Sequence, residues 1–262
     1  MVSERDVFSM LESFEIPRNA KVTIHTSLRK IGGIEGGADG LIDAFRAYLS
    51  DGLFLVPTHT WATVNHLNPY YDVRVTKPCI GTLPTVAAFR PDGFRSLHPT
   101  HSMAGFGRDA EKYLAGEEEC KTPAPVGGAL SRLAEDENNY VLLIGVGHES
   151  NTFLHAVDEM ADDPLPDHLM RGTCDMVIID HHGRRILDRG FRTHANDGSE
   201  YFPNLERPFR LTGATTEGRL GSARVICGSC AKMADVIGRI LARTDHDPFR
   251  RVEEISEDLY LD

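Results

Sequence analysis

Apolar positions recur at helical spacing in residues 4–14, where Val7, Met10, Leu11 and Phe14 share one face and Pro17 ends the element. The run Lys21-Val22-Thr23-Ile24-His25-Thr26 is short and β-branched, the pattern of a buried strand. Behind the glycines Gly32, Gly33, Gly36 and Gly37, the side chains Leu41, Ile42, Phe45 and Leu49 align on a second helix. Residues 53–56 then form a second strand, closed by Pro57. Strand, helix and strand between residues 21 and 57 make a βαβ unit, which requires parallel pairing and a right-handed crossover.

Residues 57–101 are broken by Asn68-Pro69, Lys77-Pro78 and Arg90-Pro91 and read as a long irregular covering segment. Beyond it the pattern predicts a strand over 103–106, helices near 108–115 and 128–136, and a strand over 140–146. That strand, Tyr140-Val141-Leu142-Leu143-Ile144-Gly145-Val146, is continuously apolar and therefore covered on both faces. Ser150 or Asn151 caps a helix running to about Ala161. Strands at 174–180 and 185–192 are joined by His182-Gly183 as a hairpin. A strand at 223–227 and a helix at 231–243, striped by Met233, Ile237, Ile240 and Leu241, complete the pattern. The fold class is α/β: a single domain over residues 1–262, layered α/β/α, with a central mixed, largely parallel sheet and inserted loops.

Charge adds a modest bias. The chain has 28 Lys and Arg against 39 Asp and Glu, a net charge of −11, and no basic run, so a phosphate-tracking nucleic-acid surface is not expected. An acidic surface suits a cationic small molecule. No apolar stretch approaches the roughly 20 residues of a membrane span. The five cysteines are too scattered for a disulfide framework, which, with the charged N-terminus, predicts a cytoplasmic protein with reduced thiols.

The segment with the clearest chemistry is Gly145-Val146-Gly147-His148-Glu149-Ser150-Asn151-Thr152-Phe153-Leu154-His155. It leaves the carboxyl end of the most apolar strand, where open α/β sheets place ligands. Thr152, His155 and Glu159 fall near one helix face, and an imidazole exchanges protons readily near neutrality. A core histidine hydrogen-bonded within its helix has the same spacing. His25-Thr26-Ser27, Thr58-His59 and His98-Pro99-Thr100-His101-Ser102 also sit where a strand yields to a loop and are placed to converge on one crevice. No metal-binding signature accompanies the twelve histidines, and Cys227-Gly228-Ser229-Cys230 is a lone pair at a strand-to-helix junction. The glycine-rich Gly32-Gly33-Ile34-Glu35-Gly36-Gly37 lacks a dinucleotide or P-loop pattern and leaves only a looser anion site. A G-x-S-x-G elbow is absent.

Taken together, Ile24-His25-Thr26-Ser27-Leu28, Gly36-Gly37-Ala38, Val56-Pro57-Thr58-His59-Thr60, Ile80-Gly81-Thr82-Leu83-Pro84, Arg95-Ser96-Leu97-His98-Pro99-Thr100-His101-Ser102, Gly107, Thr122-Pro123 and the 145–155 segment resemble the aminoglycoside 3-N-acetyltransferase family over residues 20–240. The resemblance implies transfer of acetyl from acetyl-CoA to the 3-amino group of an aminoglycoside by direct attack on the thioester, without a metal. It implies His155 as general base and Thr152 beside the thioester. It assigns coenzyme contacts to His25, Thr26, Ser27, Leu28, Thr58, His98 and Ser102, with the glycine-rich segment near the phosphates. Substrate contacts fall to His59, Glu149 and Glu159.

The family's Leu-His-x-Ala-Glu reads here Leu154-His155-Ala156-Val157-Asp158-Glu159, and the later segment carries His194, Asp197 and Glu200. The catalytic set therefore includes Asp158, Asp197 and His194, with Asp158, Asp197 or Glu200 orienting the base. Asp72, Glu159, Asp162, Asp163 and Asp167 are candidates for acidic walls around a small cationic amine. Competing readings are an acyltransferase for a biosynthetic amino sugar or other small amine, a metal-dependent hydrolase built from His59, His98, His101 and His155, and a coenzyme-binding module without catalysis. A homodimer is left open.

Overall fold

A computed structural model describes residues 1–161, 169–170, 172–195, 198–244, 249 and 254–261. Ser3 opens α1 (Glu4–Ser13) with a reciprocal cap: its backbone N–H donates to Asp6 Oδ2 at 2.8 Å and its hydroxyl accepts from the Asp6 N–H at 3.3 Å. The chain continues through β1 (Lys21–Thr26), α2 (Leu28–Ile31), α3 (Gly37–Tyr48) and β2 (Leu53–Pro57). β1 and β2 pair in parallel, as the βαβ pattern predicts.

The irregular stretch holds more structure than its sequence announces: β3 (Tyr70–Asp72), α4 (Thr82–Ala88) and β4 (Phe94–Arg95). After β5 (Met103–Phe106) and α5 (Ala110–Leu114), the helix expected near 128–136 is instead a 3₁₀ segment over Ser131–Glu135. β6 (Asn139–Ile144) leads through a 3₁₀ turn at His148–Ser150 into α6 (Phe153–Met160). Thr152 occupies the N-cap of α6, one position beyond Asn151 and two beyond Ser150, the caps proposed from sequence. The hairpin β7 (Cys174–Ile179) and β8 (Arg185–Phe191) forms as expected, with Gly183 at φ +81° in its turn. α7 (Glu206–Leu211), β9 (Thr215–Leu220), β10 (Ala223–Ser229) and α8 (Cys230–Arg243) finish the described elements.

Seven strands form the main sheet in the order β4-β5-β2-β1-β6-β10-β9. The three central strands run parallel, and the outer pairings are antiparallel. Alternation splits the strands between two cores. Leu53, Leu55, Val141, Leu143 and Ile226 face one core with α6 and α8. Val22, Ile24, Phe54, Val56, Leu142 and Ile144 face the other with α1 and α3. A continuous apolar strand needs this double cover, and the three-layer arrangement supplies it. A second sheet, β3-β7-β8, carries its own small core of Val64, Tyr71, Val73, Met176, Ile178 and Phe191.

Arg95 ties the second sheet and the covering segment to the main sheet. It is 3% exposed, yet its guanidinium donates to Thr76 O at 2.7 Å, Thr58 O at 3.1 Å, Val73 O at 3.3 Å, Thr58 Oγ1 at 3.2 Å and Ser102 Oγ at 3.3 Å. The Tyr71 ring lies 5.3 Å from the charge. Arg95→Met should remove the donors of several buried carbonyls at once, an expected loss of about 3 kcal/mol. Urea unfolding measures it, and an unchanged midpoint would show that water replaces the guanidinium without cost.

Candidate active site

The carboxyl ends of the three parallel strands converge on a cavity of about 590 Å³. Ile24, His25 and Thr26 enter it from β1, Val56, Pro57 and His59 from β2, and Val146 from the end of β6. The 148–152 turn and the first turn of α6 add Glu149, Ser150, Asn151, Thr152 and His155. The far walls come from side chains of residues 61–67, the start of α4, Thr100-His101, Thr193-His194-Ala195, Ser199 and Phe202. Gly145 makes the turn out of β6 possible: it sits at φ +71°, and a Cβ there would lie 2.9 Å from the Lys30 Cβ.

Thr152 and His155 lie three residues apart on one helical turn, with the His155 N–H donating to Thr152 O at 3.1 Å. The Thr152 N–H in turn donates to His25 Nε2 at 3.4 Å. His25 is therefore an acceptor at Nε2 and carries its proton on Nδ1, and it braces the first turn of α6. The His155 ring packs 4.8 Å from the His194 ring and 4.8 Å from Phe202. His101 stands 4.9 Å from His194 and 4.5 Å from His59. Burial holds several of these imidazoles neutral. His25 is pushed down to about 3, with the nearby His155 adding to the effect, and His59 and His101 fall well below the usual histidine value.

His98 differs from its neighbours. Its Nδ1 accepts from the backbone N–H groups of Thr100 at 3.2 Å and His101 at 2.9 Å, and its Nε2 faces Thr122 O at 3.0 Å. Both nitrogens are engaged with the backbone, and burial pushes the group down to about 4. The ring fixes the turn that presents Thr100 and His101 to the cavity. It leaves no lone pair for a metal, so the four-histidine hydrolase loses one of its ligands. Among the described residues, no group of three or more His, Cys, Asp or Glu side chains is placed to hold a metal ion.

The residues singled out from sequence divide sharply. His25, Thr26, His59, Glu149, Thr152, His155 and His194 line the cavity. Thr58 and Ser102, both fully buried and 2.9 Å apart at their hydroxyls, sit behind the wall within the Arg95 network. Ser27 donates its N–H to Ile144 O at 2.9 Å and starts α2, and Leu28 packs on the α3 side of the sheet. Glu159 turns to the 122–124 segment, where its carboxylate accepts from the Thr122 hydroxyl and from the Ala124 N–H. Asp158 is buried on α6 outside the cavity lining, and Asp72 is held in a pair with Arg74. Asp162, Asp163, Asp167 and Asp197 lie outside the described residues.

The glycine-rich segment also lies elsewhere. Val2 donates to Gly33 O at 2.7 Å and Glu35 to Val2 O at 2.9 Å, which pins the segment to the N-terminus and away from the cavity. Conversely, sequence reasoning passed over Trp61, Asn151, Ser199 and Phe202 as lining residues. A tryptophan in a polar covering segment was the available signal for the first of these.

A model of the aminoglycoside 3-N-acetyltransferase family matches residues 23–242. Aminoglycoside N(3)-acetyltransferase IV of Salmonella sp is 29% identical over 167 residues, and the match spans 62% of this chain and 62% of that protein. The solved AAC-IIIb binary with CoASH shares the fold at a TM-score of 0.74 and 18% identity, covering 89% of this chain and 93% of that one. So does a histidine-to-alanine mutant of AAC(3)-IVa in complex with apramycin, at a TM-score of 0.73 and 24% identity over 96% of this chain and 97% of that one. No described helix is long and apolar enough to cross a membrane. Every cavity-lining residue from Ile24 to Phe202 falls inside the matched stretch, and the chain belongs to the aminoglycoside 3-N-acetyltransferase family.

Proposed function

We propose that the chain is an acetyl-CoA-dependent N-acetyltransferase whose family acceptor is the 3-amino group of an aminoglycoside. The observation that carries the reading is the pair Thr152 and His155, one helical turn apart, opening on a cavity large enough for a pantetheine arm and an incoming amine. A CoASH complex and an apramycin complex among similarly folded proteins support the two ligand classes.

In this reading the amine must lose a proton before its lone pair can attack, and His155 accepts it. The Thr152 hydroxyl hydrogen-bonds the thioester oxygen as charge develops there. Asp158, buried one turn beyond His155, and His194, whose ring lies 4.8 Å away, are the described groups proposed to set the orientation of the base. His25 and Thr26 contact the coenzyme arm, and His59 and Glu149 face the acceptor. The amine attacks the thioester carbon directly, and no covalent acyl-enzyme forms.

The test is acceptor-dependent release of coenzyme A thiol, with the product read by mass for one added acetyl group. Kanamycin-like and apramycin-like acceptors should each give release and a single acetyl addition. Thiol release that is unchanged by any acceptor would overturn the reading.

A further inference from the structure

The mouth of the cavity differs in chemistry from its floor. Trp61 is 48% exposed and Leu67 is 83% exposed, and both line the cavity, where buried Val64, Leu83 and Pro84 and half-buried Ile80 continue the apolar wall inward. Large apolar side chains held in water at the entrance of a site are a marker of ligand contact. The loop that carries them is fixed in place. Thr60 Oγ1 donates to Pro99 O at 2.6 Å, the Val64 N–H donates to Thr60 O at 2.8 Å, and Val64 itself is buried in the core of the second sheet. Asn65 Oδ1 accepts from the Leu67 N–H at 2.9 Å, and Asn68 Nδ2 donates to Thr63 O at 2.6 Å. The surface is therefore built before any ligand arrives, which lowers the ordering cost of binding.

Charge tells which ligand meets this wall. The nucleotide end of coenzyme A is strongly anionic and favours cations. Exposed Arg29 and Lys30 stand on α2, where the Lys30 stem packs against Gly145, the residue before Val146 of the cavity lining. That places the nucleotide on the α2 side and leaves the Trp61 side to the acceptor. Among the described lining residues one, Glu149, is acidic, which matches a single ammonium group.

From the apolar mouth we infer a further activity of the same chamber: acetylation of monoamines that carry an aromatic or branched alkyl body, with that body seated on Trp61 and Leu67. The inference rests on the acetyltransferase reading. The nitrogen lone pair forms the new C–N bond, the thioester C–S bond breaks with its electrons going to sulfur, and the proton lost from nitrogen ends on the coenzyme thiol.

The experiment compares kcat/KM for tryptamine and 2-phenylethylamine with that for ethanolamine, which has the same charge and no apolar body, and with kanamycin and apramycin. The aromatic amines should exceed ethanolamine by at least about tenfold, as expected for one ring contact. Trp61→Ala, at a surface position that leaves the core intact, should raise KM for tryptamine by about tenfold. Equal turnover of ethanolamine and tryptamine overturns the inference. So does a Trp61→Ala variant in which KM for acetyl-CoA rises instead, because Trp61 would then hold the coenzyme. Release with aminoglycosides alone overturns this inference and leaves the acetyltransferase reading standing, whereas no release with any amine overturns that reading as well.

Discussion

Replacing His155 with alanine is expected to lower kcat by on the order of 10²–10⁴, while the affinity for acetyl-CoA stays within about threefold of the parent. The expectation follows from where the imidazole stands. It shares a helical turn with Thr152, opens on the cavity, and packs against the rings of His194 and Phe202. An amine near neutral pH is almost wholly protonated, so a base of matched strength is needed in the step where the C–N bond forms. Because the His155 ring is itself packed, the alanine variant leaves a small void. His155→Gln keeps most of the volume without the basicity and separates the two effects. Steady-state turnover with saturating coenzyme, together with a direct binding measurement, checks both parts. Turnover within threefold of the parent in both variants would remove His155 as the base.

Acidification is expected to unfold the protein in a window set by histidines rather than by carboxylates. Burial pushes His25 down to about 3 and His98 and His148 down to about 4. Their folded values lie below the unfolded value of about 6.5, so the unfolded chain binds more protons throughout the interval between them. Their neutral burial costs nothing above about pH 7, and stability falls as pH drops through 6.5 toward 4. Each such group contributes about 1.4 kcal/mol per pH unit, so three give about 4 kcal/mol per unit and about 6 kcal/mol by pH 5. That is comparable with the whole stability of an ordinary domain.

The carboxylates paired with arginine act lower. The hydrogen bond from Arg90 holds Asp92 down to about 2, and the one from Arg74 lowers Asp72. Their stabilising contributions are present above the usual carboxyl value and are lost only as pH falls below about 4. Urea unfolding at pH 7.5, 6 and 5 distinguishes the two sets. A free energy of unfolding that is flat from pH 7 to 5 would show that the buried imidazoles do not control it.

The sheet's centre was legible because burial on both faces demands an apolar run, which β2 and β6 have, and because β1 is short and rich in β-branched residues. The exit from β6 into α6 was legible for a related reason. A glycine turn followed by a polar cluster and an amphipathic stripe is a local pattern, and Thr152 and His155 ride on it. β9 was missed because Thr-Thr-Glu-Gly-Arg-Leu is an edge strand with mostly solvated side chains, paired among the described strands with β10 alone. β3 escaped notice because three residues make a strand only when β7, a hundred positions away, pairs with them.

Residue types alone grouped His25, Thr26, Thr58, His59, His98 and Ser102 as one crevice. Tertiary structure divided them between a ligand-facing wall and the hydrogen-bonded network behind it. Which side of a strand end faces the cavity depends on register and on what packs against it. Arg95, recruited from a distant β4, claims Thr58 and Ser102, and the backbone of the 98–101 turn claims both nitrogens of His98.

By itself the sequence determined the layered α/β plan, the family, and the helix that carries the candidate base, because each depends on local periodicity or on contiguous motifs. Only the folded chain decided which imidazoles meet the cavity, that Glu159 serves a neighbouring loop, and that Trp61 stands at the entrance. Those facts depend on contacts between segments far apart in the chain, and the burial and hydrogen bonding that settle them exist only after the segments have met.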